Sequence, residues 1–75
     1  MTNEFSELVD MIADLNEFYE ILERHKFLPV RPGGIVIDVA DDGEFASRLE
    51  ANMPRHDFLR VIRLAQKLRP HYKGV

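Results

Sequence analysis

The segment Asp38–Glu44 has the acidic spacing that comes closest to a metal-binding motif in this chain. With Gly43 at the sixth position of a helix–loop–helix calcium loop, Ala40 falls at the third position and Leu49 at the twelfth. Both positions require oxygen ligands, which alanine and leucine cannot supply. Helix capping accounts for the same acidic residues without a metal. We therefore expect no calcium site here.

The other residues that could bind a ligand or take part in catalysis also lack the spacing that such chemistry requires. Gly33 and Gly34 precede an apolar segment, whereas a phosphate loop places its glycines between a strand and a helix. The three histidines do not fall at paired ligand spacing on any one predicted helix, and the chain contains no cysteine. We expect no catalytic residues, no metal and no cofactor, and so we expect that the protein is not an enzyme.

Charge is strongly segregated along the 75 residues, although the net charge is only −3. Residues 1–23 contain seven acids and no base, and residues 54–75 contain six bases and one acid. This segregation of charge gives information about possible binding partners and not about the fold. The acidic face is either a solvated surface or a docking surface for something basic, which is this chain's last helix or another protein. The partner-binding candidates are Asp10, Asp14, Glu17, Arg60, Arg63 and Lys67.

A long helix over about residues 3–26 must carry the acidic face. Its apolar residues recur at steps of three and four, which is the spacing of one helix face: Phe5, Leu8, Ile12, Leu15, Tyr19 and Leu22. We interpret this face first as core for its own domain. A seam shared with a second copy is the next interpretation, and an independent coiled coil is the least favoured.

The helical pattern stops at Pro29 and Pro32, and residues 31–34 have the composition of a tight turn. Ile35–Val39 is rich in β-branched residues, which predicts a strand over about residues 35–39. A single strand needs a ladder partner. That partner is either Leu28–Arg31 in a hairpin or the same strand of a second copy, and the sequence leaves both open.

Two shorter helices follow, at about residues 43–52 and 54–69. Asp41 or Asp42 caps the first, and Pro54 ends it or opens the second. The predicted fold is a single small α+β domain over residues 1–75. It is mainly helical, with a long N-terminal amphipathic helix, one short strand or hairpin and two C-terminal helices.

These features favour a small non-enzymatic regulatory or adaptor protein that binds a protein partner, as a homodimer rather than a monomer. The alternative is a DNA-binding regulator of helix-turn-helix or ribbon-helix-helix type that uses the basic C-terminal helix. The acidic net charge and the acidic first helix count against nucleic acid. No uninterrupted apolar run exceeds three residues, so we expect no membrane association and a cytoplasmic location.

Overall fold

The first helix, α1, runs from Glu4 to Arg24 in a computed structural model that describes residues 4–27 and 34–72. The sequence predicts this helix at about 3–26 with Thr2 or Asn3 as its cap, and both of these residues lie outside the described residues. Glu4 and Glu7 stand in the first turn and Arg24 in the last. These charges complement the helix dipole at both ends.

α1 ends in a left-handed turn at Lys26, whose φ is 66°. The Phe27 amide donates to the Leu22 carbonyl at 2.8 Å, and the Lys26 amide donates to the Glu23 carbonyl at 2.9 Å. This pair of hydrogen bonds is a Schellman motif, in which glycine usually occupies the left-handed position. The turn also brings Phe27 against the hydrophobic core.

The predicted strand at 35–39 is wrong, because these residues lie in a second helix, α2, at Gly34–Asp41. The described residues contain four α-helices and one short 3-10 helix but no strand, so the fold is all-α rather than α+β. The proposed hairpin partner at 28–31 and most of the predicted turn at 31–34 lie outside the described residues.

Burial explains why a β-branched segment becomes helical. Ile35, Val36 and Val39 are all buried, at positions i, i+1 and i+4 that share one helix face. Even a helix of eight residues satisfies part of its backbone hydrogen bonds internally, whereas a lone strand satisfies none. The helix-propensity cost of valine and isoleucine is about 0.7 kcal/mol or less per residue, and core packing outweighs it.

The third helix, α3, spans Gly43–Asn52, and the fourth, α4, spans Arg55–Leu68. The sequence expectations for these elements are 43–52 and 54–69. Asp42 caps α3, since its Oδ1 accepts from the amides of Glu44 at 3.0 Å and Phe45 at 3.2 Å. Asp41 accepts a hydrogen bond from Arg69 Nε at 2.7 Å. A 3-10 helix, Arg69–His71, follows α4 directly.

α4 lies at the centre of the fold and contacts each of the other three α-helices. It runs antiparallel to α1, so that the end of α1 meets the start of α4. All four helices contribute to one apolar core. Its buried members are Phe18, Ile21, Leu22, Ile35, Val36, Val39, Leu49, Met53, Val61, Leu64, Ala65 and Leu68.

The six regularly spaced apolar residues of α1, Phe5 to Leu22, form a stripe that belongs to the core only at the C-terminal end of the helix. Phe18, Ile21 and Leu22 are the residues of α1 that are buried. Phe5, Leu8 and Ile12, the first half of the stripe, are exposed. At about 100° per residue, this exposed half lies about a third of a turn around the helix from the buried face. The face that packs in the core and the face with the most regular spacing are therefore different.

Candidate protein-binding surfaces

Two of the acidic candidates on α1 pair with two of the basic candidates on α4. Arg60 donates to the Glu17 carboxylate from Nε at 2.6 Å and from Nη2 at 2.8 Å. Lys67 Nζ lies 2.8 Å from Asp14 Oδ2. The hydrogen bonds from Arg60 hold the pKa of Glu17 below its usual value, and the same contact raises the pKa of Arg60. Of the partners considered for the acidic face, this chain's last helix occupies the part formed by Asp14 and Glu17.

Asp10 and Arg63, the remaining two candidates, make no ion pair with any described residue. Asp10 lies in an open groove between α1 and the end of α4, beside Glu7 and His71. Arg63 lies on the opposite side of α4 from the core. The structure therefore separates the six candidates into four that join two helices and two that remain available.

The face of α4 opposite the core combines basic and apolar groups. We call it the outer α4 face and define it by His56, Leu59, Arg63 and Gln66, which line an open groove of about 370 Å³ together with Arg60 and Ile62. Leu59 is 50% exposed. Leu59 precedes Arg63 by four residues, so helical spacing places the two on one face, but the charge pattern alone does not single out Leu59.

A second apolar surface lies on the N-terminal half of α1. We call it the outer α1 stripe and define it by Phe5, Leu8, Val9 and Ile12, which are 73%, 49%, 46% and 48% exposed. Their spacing of i, i+3, i+4 and i+7 places them on one side of two helical turns. Together with Leu59 they are the large apolar side chains that stand exposed among the described residues.

A compact polar cluster joins the end of α1 to the start of α4. His25 Nε2 donates to Asp57 Oδ2 at 2.9 Å, His56 Nε2 lies 3.2 Å from Asp57 Oδ1, and Arg24 approaches the same carboxylate at 3.6 Å. The hydrogen bond from His25 lowers the pKa of Asp57, with smaller contributions from the neighbouring charges. Sequence spacing gives no hint of this cluster, because its residues belong to two distant segments.

The geometry of this cluster is that of a structural contact that joins the end of α1 to the start of α4. Asp57 is buried, and its carboxylate is already engaged by three cationic or hydrogen-bonding side chains. Across residues 4–27 and 34–72, no group of three or more His, Cys, Asp or Glu side chains is arranged to hold a metal ion. Asp42, the acidic residue at the centre of the calcium-like spacing, caps α3.

Within the described part of the chain, no helix has the length and apolar content needed to cross a membrane. Comparison of the chain with protein-family models, with curated proteins and with solved structures yields no match.

Proposed function

We propose that the protein is a cytoplasmic, non-enzymatic regulator or adaptor that binds a protein partner through the outer α4 face. The observation that carries this proposal is the position of Arg63. Its guanidinium has no ion-pair partner among the described residues, whereas Arg60 and Lys67 on the same helix are neutralised by α1. Arg63 also stands beside the exposed Leu59 in an open groove.

This chemistry suits an acidic segment that also presents an apolar side chain. An apolar group of the partner can cover Leu59, and a carboxylate can receive the paired donors of the Arg63 guanidinium. Arginine is enriched in interfaces for this reason, since its planar fork binds carboxylates with defined geometry. His56 and Gln66 supply further polar groups at the edge of the same groove.

DNA binding through α4 has less support from the same residues. Arg60 and Lys67 are already paired with acids, so the outer α4 face keeps few free cations for phosphates. A ribbon-helix-helix arrangement needs a strand before two helices, and residues 35–39 are helical. Leu59 is an apolar group where a DNA-contacting face would place a donor.

The test is capture of proteins from a lysate of the native host by the immobilised chain, with Arg63→Glu and Leu59→Ser in parallel. A partner that uses this face is retained by the wild type and lost with both variants. Arg48→Glu is the matched control, because Arg48 carries the same charge on α3, outside the groove, where it stacks on Phe45. It is expected to retain the partner.

Two results would contradict the proposal. Equal retention by the wild type, Arg63→Glu and Leu59→Ser would remove the outer α4 face as the binding surface. Retention of duplex DNA at low salt, with a steep loss as salt rises and with Arg63→Glu, would assign the same face to nucleic acid instead. Circular dichroism of each variant verifies that the helices are intact.

A further inference from the structure

We infer that two copies of this chain associate side by side through the outer α1 stripe. This inference goes beyond the proposed function, because it uses a different helix and a different partner from the outer α4 face. Four large apolar side chains on one side of a helix, each about half exposed or more, form an apolar patch of the kind that marks an interaction site.

The stripe is turned away from the rest of the domain. On the opposite side of the same turns, Glu7 and Asp10 line a groove with the end of α4. Asp14 already pairs with Lys67, which is the last but one residue of α4. No described element of the chain therefore stands where it could cover Phe5, Leu8, Val9 and Ile12.

The stripe also continues as a seam along α1. Leu15 and Tyr19 follow Phe5, Leu8 and Ile12 at the alternating steps of three and four that characterise helix pairs. Both are only partly buried in the core. A second helix placed along the exposed residues would thus reach them and complete their burial.

The placement of charge favours a second copy over a basic partner. In a heptad with Phe5, Ile12 and Tyr19 at one seam position and Leu8 and Leu15 at the other, the middle flanking positions are uncharged. They hold Val9, Met11, Asn16 and Phe18. Five acids fall at positions away from the seam: Glu7, Asp10, Asp14, Glu17 and Glu20. Only Glu4 and Glu23 flank it, at its two ends.

Two α1 helices can therefore approach without facing acids in the middle of their contact, even though the helix contains no base before Arg24. A basic partner would gain little from the stripe, because the acids point elsewhere. Contact of the same surface on both copies generates a closed two-fold dimer rather than an open chain.

Sedimentation velocity over a range of concentrations tests this inference. We expect the wild type to sediment as a dimer that dissociates on dilution. Leu8→Glu and Ile12→Glu each remove two buried side chains per dimer and place charge in the seam, so the dissociation constant should rise by about 30-fold or more. Both positions are exposed in the monomer, so circular dichroism should show unchanged helix content.

Leu59→Glu is the matched control, since Leu59 and Leu8 are 50% and 49% exposed and undergo the same substitution. It should leave the dimer intact while removing the partner of the outer α4 face, so the two proposals fail separately. A wild type that is monomeric at every concentration, or equal dissociation by Leu59→Glu and Leu8→Glu, would overturn the inference. So would a monomer that binds lipid vesicles through the stripe. If Leu8→Glu loses helix content, Ile12→Ser gives the same comparison without an added charge.

Discussion

Glu17 on α1 and Arg60 on α4 form a two-pronged ion pair although 43 residues separate them in the chain. Together with the contact between Asp14 and Lys67, this pair links the two antiparallel helices at two points along their length. The charge segregation of the sequence is thus used in part within the fold. Both side chains of the Glu17–Arg60 pair remain almost half exposed, so solvent screens their attraction.

Replacement of Glu17 by glutamine should lower Tm by roughly 2–4 °C, because a partly exposed but well-aligned pair is lost. The exchange Glu17→Arg with Arg60→Glu should recover most of that loss, since the attraction is restored with reversed signs. Thermal denaturation followed by circular dichroism measures both effects. Glu23→Gln is the control, because Glu23 is exposed on the same helix and forms no ion pair with a described residue. A double exchange no better than the single variants would show that the pair does not couple the helices.

The stability of the fold should fall in acid because of Asp57 and Glu17. Hydrogen bonds from His25 and Arg60 lower the pKa values of these two carboxyl groups from their ordinary values of 3.8 and 4.5. Between the folded and unfolded pKa values the unfolded chain binds more protons, so their contribution is complete above the ordinary values and is lost as pH falls through the folded ones.

Tm measured from pH 7 downwards should therefore decline most steeply as the pH falls through and below the ordinary values of 3.8 and 4.5. Asp57→Asn should be less stable at neutral pH, and its Tm should change less over the acid range, because one of the titrating groups is gone. Glu44→Gln serves as the comparison, since Glu44 is an exposed acid on α3. An equally steep decline of Tm in acid for Asp57→Asn and the wild type would exclude Asp57 as a source of the pH dependence.

The helices that flank α4 differ in how far local sequence determines them. Asp42 and Gly43 mark the start of α3, because an aspartate side chain can accept from the amides of the first turn. Residues 35–39 mislead, because β-branched residues also occupy buried helix faces. The choice is made by the surfaces of α3 and α4 against which α2 packs, and the α4 surface is distant in sequence.

The sequence also predicts only in part which faces of the helices meet one another. The apolar spacing of α1 identifies a helix, but it cannot tell whether Phe5 and Ile12 meet this chain or another. Segregated charges likewise do not reveal which of them face each other. Asp14 and Glu17 meet Lys67 and Arg60 only because α1 and α4 pack antiparallel. Arg63 lies three residues from Arg60 on α4, but the packing places no acidic side chain of the described residues against it.

The helical structure of α2 can be tested with two alanine substitutions. Val36 is fully buried, whereas Ile37 is only partly buried. Val36→Ala should therefore lower the free energy of unfolding by roughly 1.5–3 kcal/mol, and Ile37→Ala should lower it by less. Urea denaturation gives both values. A strand with Ile35, Ile37 and Val39 on its core face would produce the opposite order.

The cap of α3 should depend on Asp42 and not on its neighbour. Asp42→Ala removes the acceptor for the amides of Glu44 and Phe45 and should cost about 1 kcal/mol of stability. Asp42→Asn should retain most of it, because the amide oxygen can accept the same hydrogen bonds. Asp41→Ala breaks only a half-exposed contact with Arg69 and should cost less. Equal losses for the two alanine variants would contradict this assignment of the cap.

The turn at the end of α1 offers a stabilising substitution. Lys26 has a φ of 66°, where a side chain beyond hydrogen is unfavourable, and its own side chain is exposed. Lys26→Gly should therefore raise the free energy of unfolding by about 0.5–1 kcal/mol, after the extra freedom of glycine in the unfolded chain is included. Lys26→Ala removes the same charge but keeps the strain, so it should give no such gain in urea denaturation. Equal stability of the glycine and alanine variants would mean that the left-handed turn at Lys26 does not limit the stability of the fold.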